Sequence, residues 1–193
     1  LNFVGLDGHV LAWDKVDYDG EFELLIPKNT IDKLKTLGLA GDVQISYSNT
    51  MAMFATDDFE VCTRLVEGTY FKYQKMSNEL PLHTVVSRKE LLDAMVRAKM
   101  CTAEKCPVRF EISGKQLNLS IRDKVTDYHE TVDLQEEISE ALTIGFDARL
   151  VLETLKAFDC DNVGISVNGP KMPMIVESED SDFKAIVLPV SIN

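Results

Sequence analysis

One order of elements recurs along this 193-residue chain at intervals of about 60 residues. A repeat of that period narrows the possible folds more than composition can. The first copy reads as a strand at Glu21–Pro27, a helix at Lys28–Leu37, then strands at Asp42–Tyr47, Met51–Ala55 and Phe59–Val66. The second runs Leu82–Ser87, helix Arg88–Met100, then Val108–Ile112, Gln116–Ile121 and Asp127–Leu134. The third runs Ala141–Phe146, helix Asp147–Phe158, then Val163–Val167, Met174–Glu177 and Phe183–Val190. Copies share order and spacing rather than identity. A further strand, His9–Trp13, and a turn at Asp17–Gly20 precede the first copy and read as the tail of another repeat. Two repeats make a domain, so a boundary is expected near Ser77–Pro81.

The local signals agree with this plan. The strands alternate or carry β-branched runs, as in Val43–Tyr47 and Leu117–Ile121. Asn49-Thr50, Asp57-Asp58, Ser113-Gly114-Lys115 and Asn168-Gly169-Pro170 separate them and predict the hairpins of antiparallel sheets. Ser87 with Glu90 three residues on forms a capping box for the second helix. Asp147 is placed to cap the third, Pro27 precedes the first, and Gly38 closes it.

The net charge is −12, but it is unevenly placed. The first two helices each count +2 and the third counts zero, so the rest of the chain holds −16. Lysine and arginine are good helix formers on any solvated face. Alternatively, Lys33, Lys35, Arg88, Lys89, Arg97, Arg149 and Lys156 make a weakly basic face that attracts phosphates without reading bases. An acidic total argues against a tight, dedicated nucleic-acid binder. The apolar runs are far too short for a helix that spans a bilayer. Cys101 and Cys106 are five positions apart, but no second Cys/His pair completes four zinc ligands. The four cysteines read as reduced thiols, and no metal or cofactor is expected.

Particular segments resemble a known family. Asp7-Gly8-His9-Val10-Leu11-Ala12 resembles the Asp-Gly-His-Arg-Leu-Ala signature of the bacterial DNA polymerase III beta subunit, the sliding clamp. Thr63–Tyr73, Ser87–Ala94, Ile144–Phe158 with Asn162-Val163, and Ile186–Val190 are similar to further segments of that family, in order and at matching spacing. The resemblance implies an α+β DNA-clamp fold of strand-helix-three-strand units, with antiparallel sheets outside and helices lining the DNA side. It implies residues 1–80 as the second clamp domain with its front part missing, and 81–193 as the third. It also implies a non-catalytic, cytoplasmic, nucleoid-associated bacterial protein. Such a protein encircles duplex DNA as a head-to-tail homodimer when full length. It tethers the replicative polymerase and the clamp loader through short linear peptides.

The resemblance further implies a partner-peptide groove. Its residues are Leu6, Gly8, His9, Leu11, Phe71, Lys75, Met76, Asp147, Leu150, Lys171, Pro173, Ile186, Leu188, Pro189, Val190 and Ser191. Val10, Phe71 and Ser191 stand where the family usually has Arg, Pro and Arg. Met100 and Cys101 match the ring-closing contact. Two alternatives stay open at this level. One is a clamp-like interaction module that does not encircle DNA. The other is a metal-assisted hydrolase using Asp7/His9, Asp57/Asp58 or Asp159/Asp161. Against the hydrolase, these acids fall mostly in turns, where Asp is common for backbone reasons. The chain also lacks a Gly-rich phosphate loop and a nucleophile elbow.

Overall fold

The computed structural model describes residues 1–38, 41–76, 80–102 and 107–192. In chain order the elements are β1 (Asn2–Leu6), β2 (Val10–Lys15), α1 (Lys28–Leu37), β3 (Gln44–Tyr47), β4 (Met51–Ala55), β5 (Glu60–Arg64), β6 (Leu82–Ser87), α2 (Arg88–Cys101), β7 (Val108–Arg122), β8 (Asp127–Phe146), α3 (Ala148–Lys156), β9 (Asn162–Val167), β10 (Met174–Glu177) and β11 (Lys184–Val187). Contacts divide the chain into two compact units, Leu1–Tyr18 with Gln74–Asn193, and Asp19–Tyr73. The division expected at residue 80 counts repeats along the chain, whereas the compact units group residues by contact. Part of that expected boundary, residues 77–79, lies outside the described residues.

The larger unit is one antiparallel sheet in the order β1-β2-β11-β10-β9-β6-β8-β7, with α2 and α3 packed together on one face. Sequence and structure agree closely at the helix starts. The Ser87 hydroxyl accepts from the Glu90 N–H at 3.3 Å, and the Asp147 carboxylate accepts from the Arg149 N–H at 2.8 Å. Each satisfies one of the first-turn N–H groups that a helix leaves without an internal acceptor. The core beneath the helices joins Leu91, Met95 and Ala98 of α2 and Val151 and Leu155 of α3 to Phe110, Leu119, Ile144, Phe146, Ile165 and Val176 of the sheet. The Phe110 and Phe146 rings meet edge to face, with centroids 5.1 Å apart. Each such fully buried side chain contributes about 1.5–3 kcal/mol against the entropy of ordering the chain.

The smaller unit holds α1 and the sheet β3-β4-β5. The Thr30 and Thr63 hydroxyls, both buried, satisfy each other at 2.7 Å. α1 ends at Gly38, whose φ of +60° is the left-handed conformation that glycine adopts without strain.

Three expectations need correction. Glu21–Pro27 is not a strand: Leu25 accepts one hydrogen bond from the Val66 N–H, and no ladder extends from it. Ser113-Gly114-Lys115 is not a hairpin turn. Gly114, at φ +56°, sits in an irregularity inside the continuous strand β7, opposite Ile138. Asp127–Leu134 and Ala141–Phe146 are likewise one strand, β8, which carries extra residues across the same irregularity. A bulge uses the same small and polar residues as a turn, so the sequence cue was shared. The strand β1 was missed altogether, because Asn2–Leu6 has a glycine in place of a regular alternation.

Gly145 of β8 lies under the C-terminal tail. A Cβ there would come within 2.7 Å of both the Val190 carbonyl oxygen and the Ile192 side chain. Gly145→Ala is expected to cost about 1–3 kcal/mol, read by urea denaturation. Gly5→Ala, with nothing within 4 Å of its Cβ, is expected to be close to neutral.

Candidate binding surfaces

The segment Asp7-Gly8-His9 is the turn between β1 and β2. The Asp7 carboxylate accepts from the backbone N–H groups of Val10 (2.8 Å) and His9 (2.9 Å). Those two donors, Val10 first, hold its carboxyl below the ordinary carboxylate range. Gly8 turns the chain at φ +89°, which a side chain would strain. Asp7 is therefore occupied with the backbone, which is the bland use of an Asp-Gly turn.

β2 then pairs with β11, joining residues from the two ends of the sequence. Leu11 lies opposite Ile186 and Val10 opposite Val187. One more bond, from the Leu188 N–H to the His9 carbonyl at 2.9 Å, extends the pairing. Pro189 has no N–H and ends it. The tail turns onto β8, where the Val190 N–H donates to the Gly145 carbonyl at 2.8 Å. Asp147 and Leu150 follow directly, at the start of α3.

Paired residues of an antiparallel sheet share a face. The register therefore lines up Leu6, Leu11, Ile186, Ile175, Ser166 and His83 in one row across six strands. Their neighbours Val10, Ala185, Val187, Val176 and Ile165 pack with the core under the helices, so the row is on the opposite face. Leu11, Ile186 and Ile175 are nevertheless 1%, 2% and 4% exposed. The sheet is buried on both faces here.

The expected groove residues thus separate into three sets. Leu11 and Ile186 form a buried floor. Asp147, Leu150, Pro173, Leu188, Pro189 and Val190 are half-buried, as is Met76 in a short 3₁₀ turn (Tyr73–Met76). Leu6, Gly8, His9, Lys75, Lys171 and Ser191 are exposed. Phe71, 51% exposed, belongs to the smaller unit. Sequence reasoning missed Ile175, Ser166 and His83, which only the strand register brings into line. His83 Nδ1 and the Ser166 hydroxyl are 2.9 Å apart.

The helical cations are less available than their count suggested. The Arg88 side chain donates to the Cys160 carbonyl at 2.6 Å, tying α2 to the loop after α3. Arg97 forks onto Glu130, whose carboxylate also accepts from the Tyr128 hydroxyl at 2.6 Å. Arg149 forks onto Asp147, and Lys156 meets Glu153 at 2.9 Å. Arg97, Arg149 and Lys156 hold Glu130, Asp147 and Glu153, respectively, below the ordinary carboxylate range. Lys33, Lys35 and Lys89 make no ion pair among the described residues. Met100 is 83% exposed at the end of α2, and Cys101 beside it is packed against the core. Among the described residues no three His, Cys, Asp or Glu side chains converge to hold a metal ion. Cys106 lies outside the described residues. No helix among the described residues is long and apolar enough to cross a membrane.

Residues 78–191 match the family described as DNA polymerase III beta subunit, C-terminal domain. The beta sliding clamp of Vibrio cholerae is 26% identical over 98% of this chain and 54% of its own length. That of Streptococcus pneumoniae is 24% identical over 100% of this chain and 54% of its own. The chain spans about half the length of the curated relatives it matches. Among solved structures, a putative DNA polymerase III beta subunit of Eubacterium rectale has a TM-score of 0.89 at 25% identity, covering 98% of this chain and 54% of that one. The sliding clamp of Bartonella birtlesii bound to griselimycin has a TM-score of 0.90 at 23% identity, covering 99% and 54%. The DNA polymerase III subunit beta of Pseudomonas aeruginosa has a TM-score of 0.92 at 22% identity, covering 99% and 55%.

The Asp7 turn gives a pH signature. Its carboxyl is held below its unfolded value, so its contribution is present above about pH 4 and fades as pH falls below that. Asp7→Ala is expected to cost about 1 kcal/mol at pH 7, the group being exposed and screened. The gap should shrink at pH 3. Urea titrations at both pH values check this; an equal gap at both would remove the carboxylate as its source.

Proposed function

The chain belongs to the DNA polymerase III beta subunit family, and from that premise we propose that it is part of a bacterial DNA sliding clamp. In this reading residues 1–80 come from the second domain and 81–193 are the third. The full-length protein closes into a head-to-tail homodimer around duplex DNA. Met100 and Cys101 belong to the closing contact. α1, α2 and α3 face the DNA, and the protein works in the cytoplasm on the nucleoid. It catalyses nothing: it holds the replicative polymerase and the clamp loader on the template by tethering their short linear peptides.

The observation that carries the peptide groove is the β2–β11 pairing. The two segments that the resemblance assigns to the groove, at opposite ends of the sequence, are hydrogen-bonded neighbours. A peptide's apolar anchors would lie over Leu11 and Ile186 and displace or pack beside the half-buried Leu188 and Met76. Methionine suits a site that accepts several related peptides, because its side chain is adaptable. His9 and Lys75, both exposed, would orient polar groups at the rim. The griselimycin-bound relative supports a ligand-binding surface on this fold. Burying one or two large side chains gives modest affinity, on the order of micromolar. That suits partners that exchange on one clamp.

A loose grip on DNA follows from the charges. Arg88, Arg97, Arg149 and Lys156 are committed within the chain, so affinity for linear duplex should be weak and salt-sensitive, and retention should come from topology.

Two measurements test the proposal. Leu188→Ala should weaken binding of a Gln-Leu-x-Leu-Phe-type peptide by about 2 kcal/mol in calorimetric titration, with melting little changed. No binding by the wild type, or equal binding by the variant, would place the groove elsewhere. The full-length protein, once loaded, should stay on closed circular DNA at salt that strips it from linear DNA, and it should leave when the circle is cut. Equal retention on both would favour a module that does not encircle DNA.

A further inference from the structure

The acids beside the helical cations are not equivalent. Asp147 is fixed twice, as the cap of α3 and by the Arg149 fork. Glu130 is fixed by the Arg97 fork and the Tyr128 hydroxyl, whose single proton is directed to the carboxylate at 2.6 Å with the Ala94 carbonyl also near it at 3.0 Å. Glu153 differs. It sits in the middle of α3, its side chain is 64% exposed, and its one hydrogen bond is to Lys156, itself 49% exposed. Lys99 of the neighbouring α2 adds a second positive field at the same carboxylate. A pair of this kind, three residues apart on a solvated helix, is worth little and opens readily.

We infer that Glu153 is an exchangeable internal competitor of DNA phosphate, which keeps Lys156 from gripping the duplex firmly. The inference rests on the reading that α2 and α3 face DNA. Phosphate at Lys156 must replace a carboxylate already there, so the contact is an exchange of one anion for another. Less is gained than from a bare cation, and the contact is lost as easily as it forms. The fixed acids at Arg97 and Arg149 remove those cations from the exchange, whereas Glu153 sets how long the Lys156 contact lasts. A ring that must move along DNA needs short contacts.

The test uses the full-length protein and a short linear duplex without preferred sequence, followed by fluorescence anisotropy across a salt series. Glu153→Gln should tighten binding about three- to tenfold at low salt. It should steepen the dependence of log affinity on log salt by about one, the increment for one more neutralised phosphate. Glu179→Gln removes the same charge from an exposed turn after β10 and should leave the slope unchanged. Glu153→Gln combined with Lys156→Gln should return the slope to that of the wild type. An unchanged slope in Glu153→Gln, or an equal shift in Glu179→Gln, would overturn the inference. The ring reading is tested separately by retention of the wild type on circular DNA. If the wild type is retained and the Glu153→Gln slope is unchanged, the inference falls alone; if retention is lost, the reading beneath it falls.

Discussion

The β1–β2 hairpin and the turn it carries depend on the pairing of β2 with β11. Strand pairing across most of the sequence costs loop-closure entropy before any contact forms. It is held here by the registered pairs Val10–Val187, Leu11–Ile186 and Ala12–Ala185, and by the extra bond from Leu188 to His9. The same pairing does two further things. It adds the β1–β2 hairpin to the sheet that α2 and α3 cover, and it brings the Asp7-Gly8-His9 turn beside the C-terminal tail. Pro189 then ends the pairing at the point where the tail must leave β11 to reach Gly145.

The sheet presents two surfaces of different chemistry. On one face the packed helices carry Arg97, Arg149 and Lys156, each matched by a carboxylate a few residues away or on a strand. Such a surface attracts a polyanion weakly and holds it briefly. On the other face the apolar residues Leu6, Leu11, Ile186 and Ile175 stand in one row, and Leu11, Ile186 and Ile175 are almost fully buried. In the proposed groove, an apolar floor beside the half-buried Leu188 suits a ligand that brings its own apolar anchors. The alternation of each strand is what separates these roles: Val176, Ala185 and Val187 go to the helices, and Ile175 and Ile186 to the other side.

Much of the fold was legible because its signals are local. The capping residues Ser87 and Asp147, the closing Gly38, and the 3.6-residue spacing of Val151, Leu155 and Phe158 each act within a few residues. What was illegible depends on partners far away in sequence. Glycine and serine at 113–115 serve a bulge as well as they serve a turn, and only the opposite strand decides. Glu21–Pro27 has strand-like residues but forms no ladder. The groove segments were named through family resemblance, but their adjacency comes from the register. That register also brings in Ile175, Ser166 and His83, which no motif marks. The number of basic residues on α2 and α3 was read correctly, yet their pairing with Glu130, Asp147 and Glu153 could not be. Glu130 in particular lies on β8, more than thirty residues from Arg97.

Hydrogen–deuterium exchange on the full-length protein, with and without a Gln-Leu-x-Leu-Phe-type peptide, tests most directly whether the β2–β11 pairing builds the binding surface. The peptide should slow exchange at residues 6–11 and 186–192 together, and leave α2 unchanged. Slowed exchange confined to the helices or to the β3–β5 sheet, with 6–11 and 186–192 unaffected, would contradict the placement of the groove at this pairing.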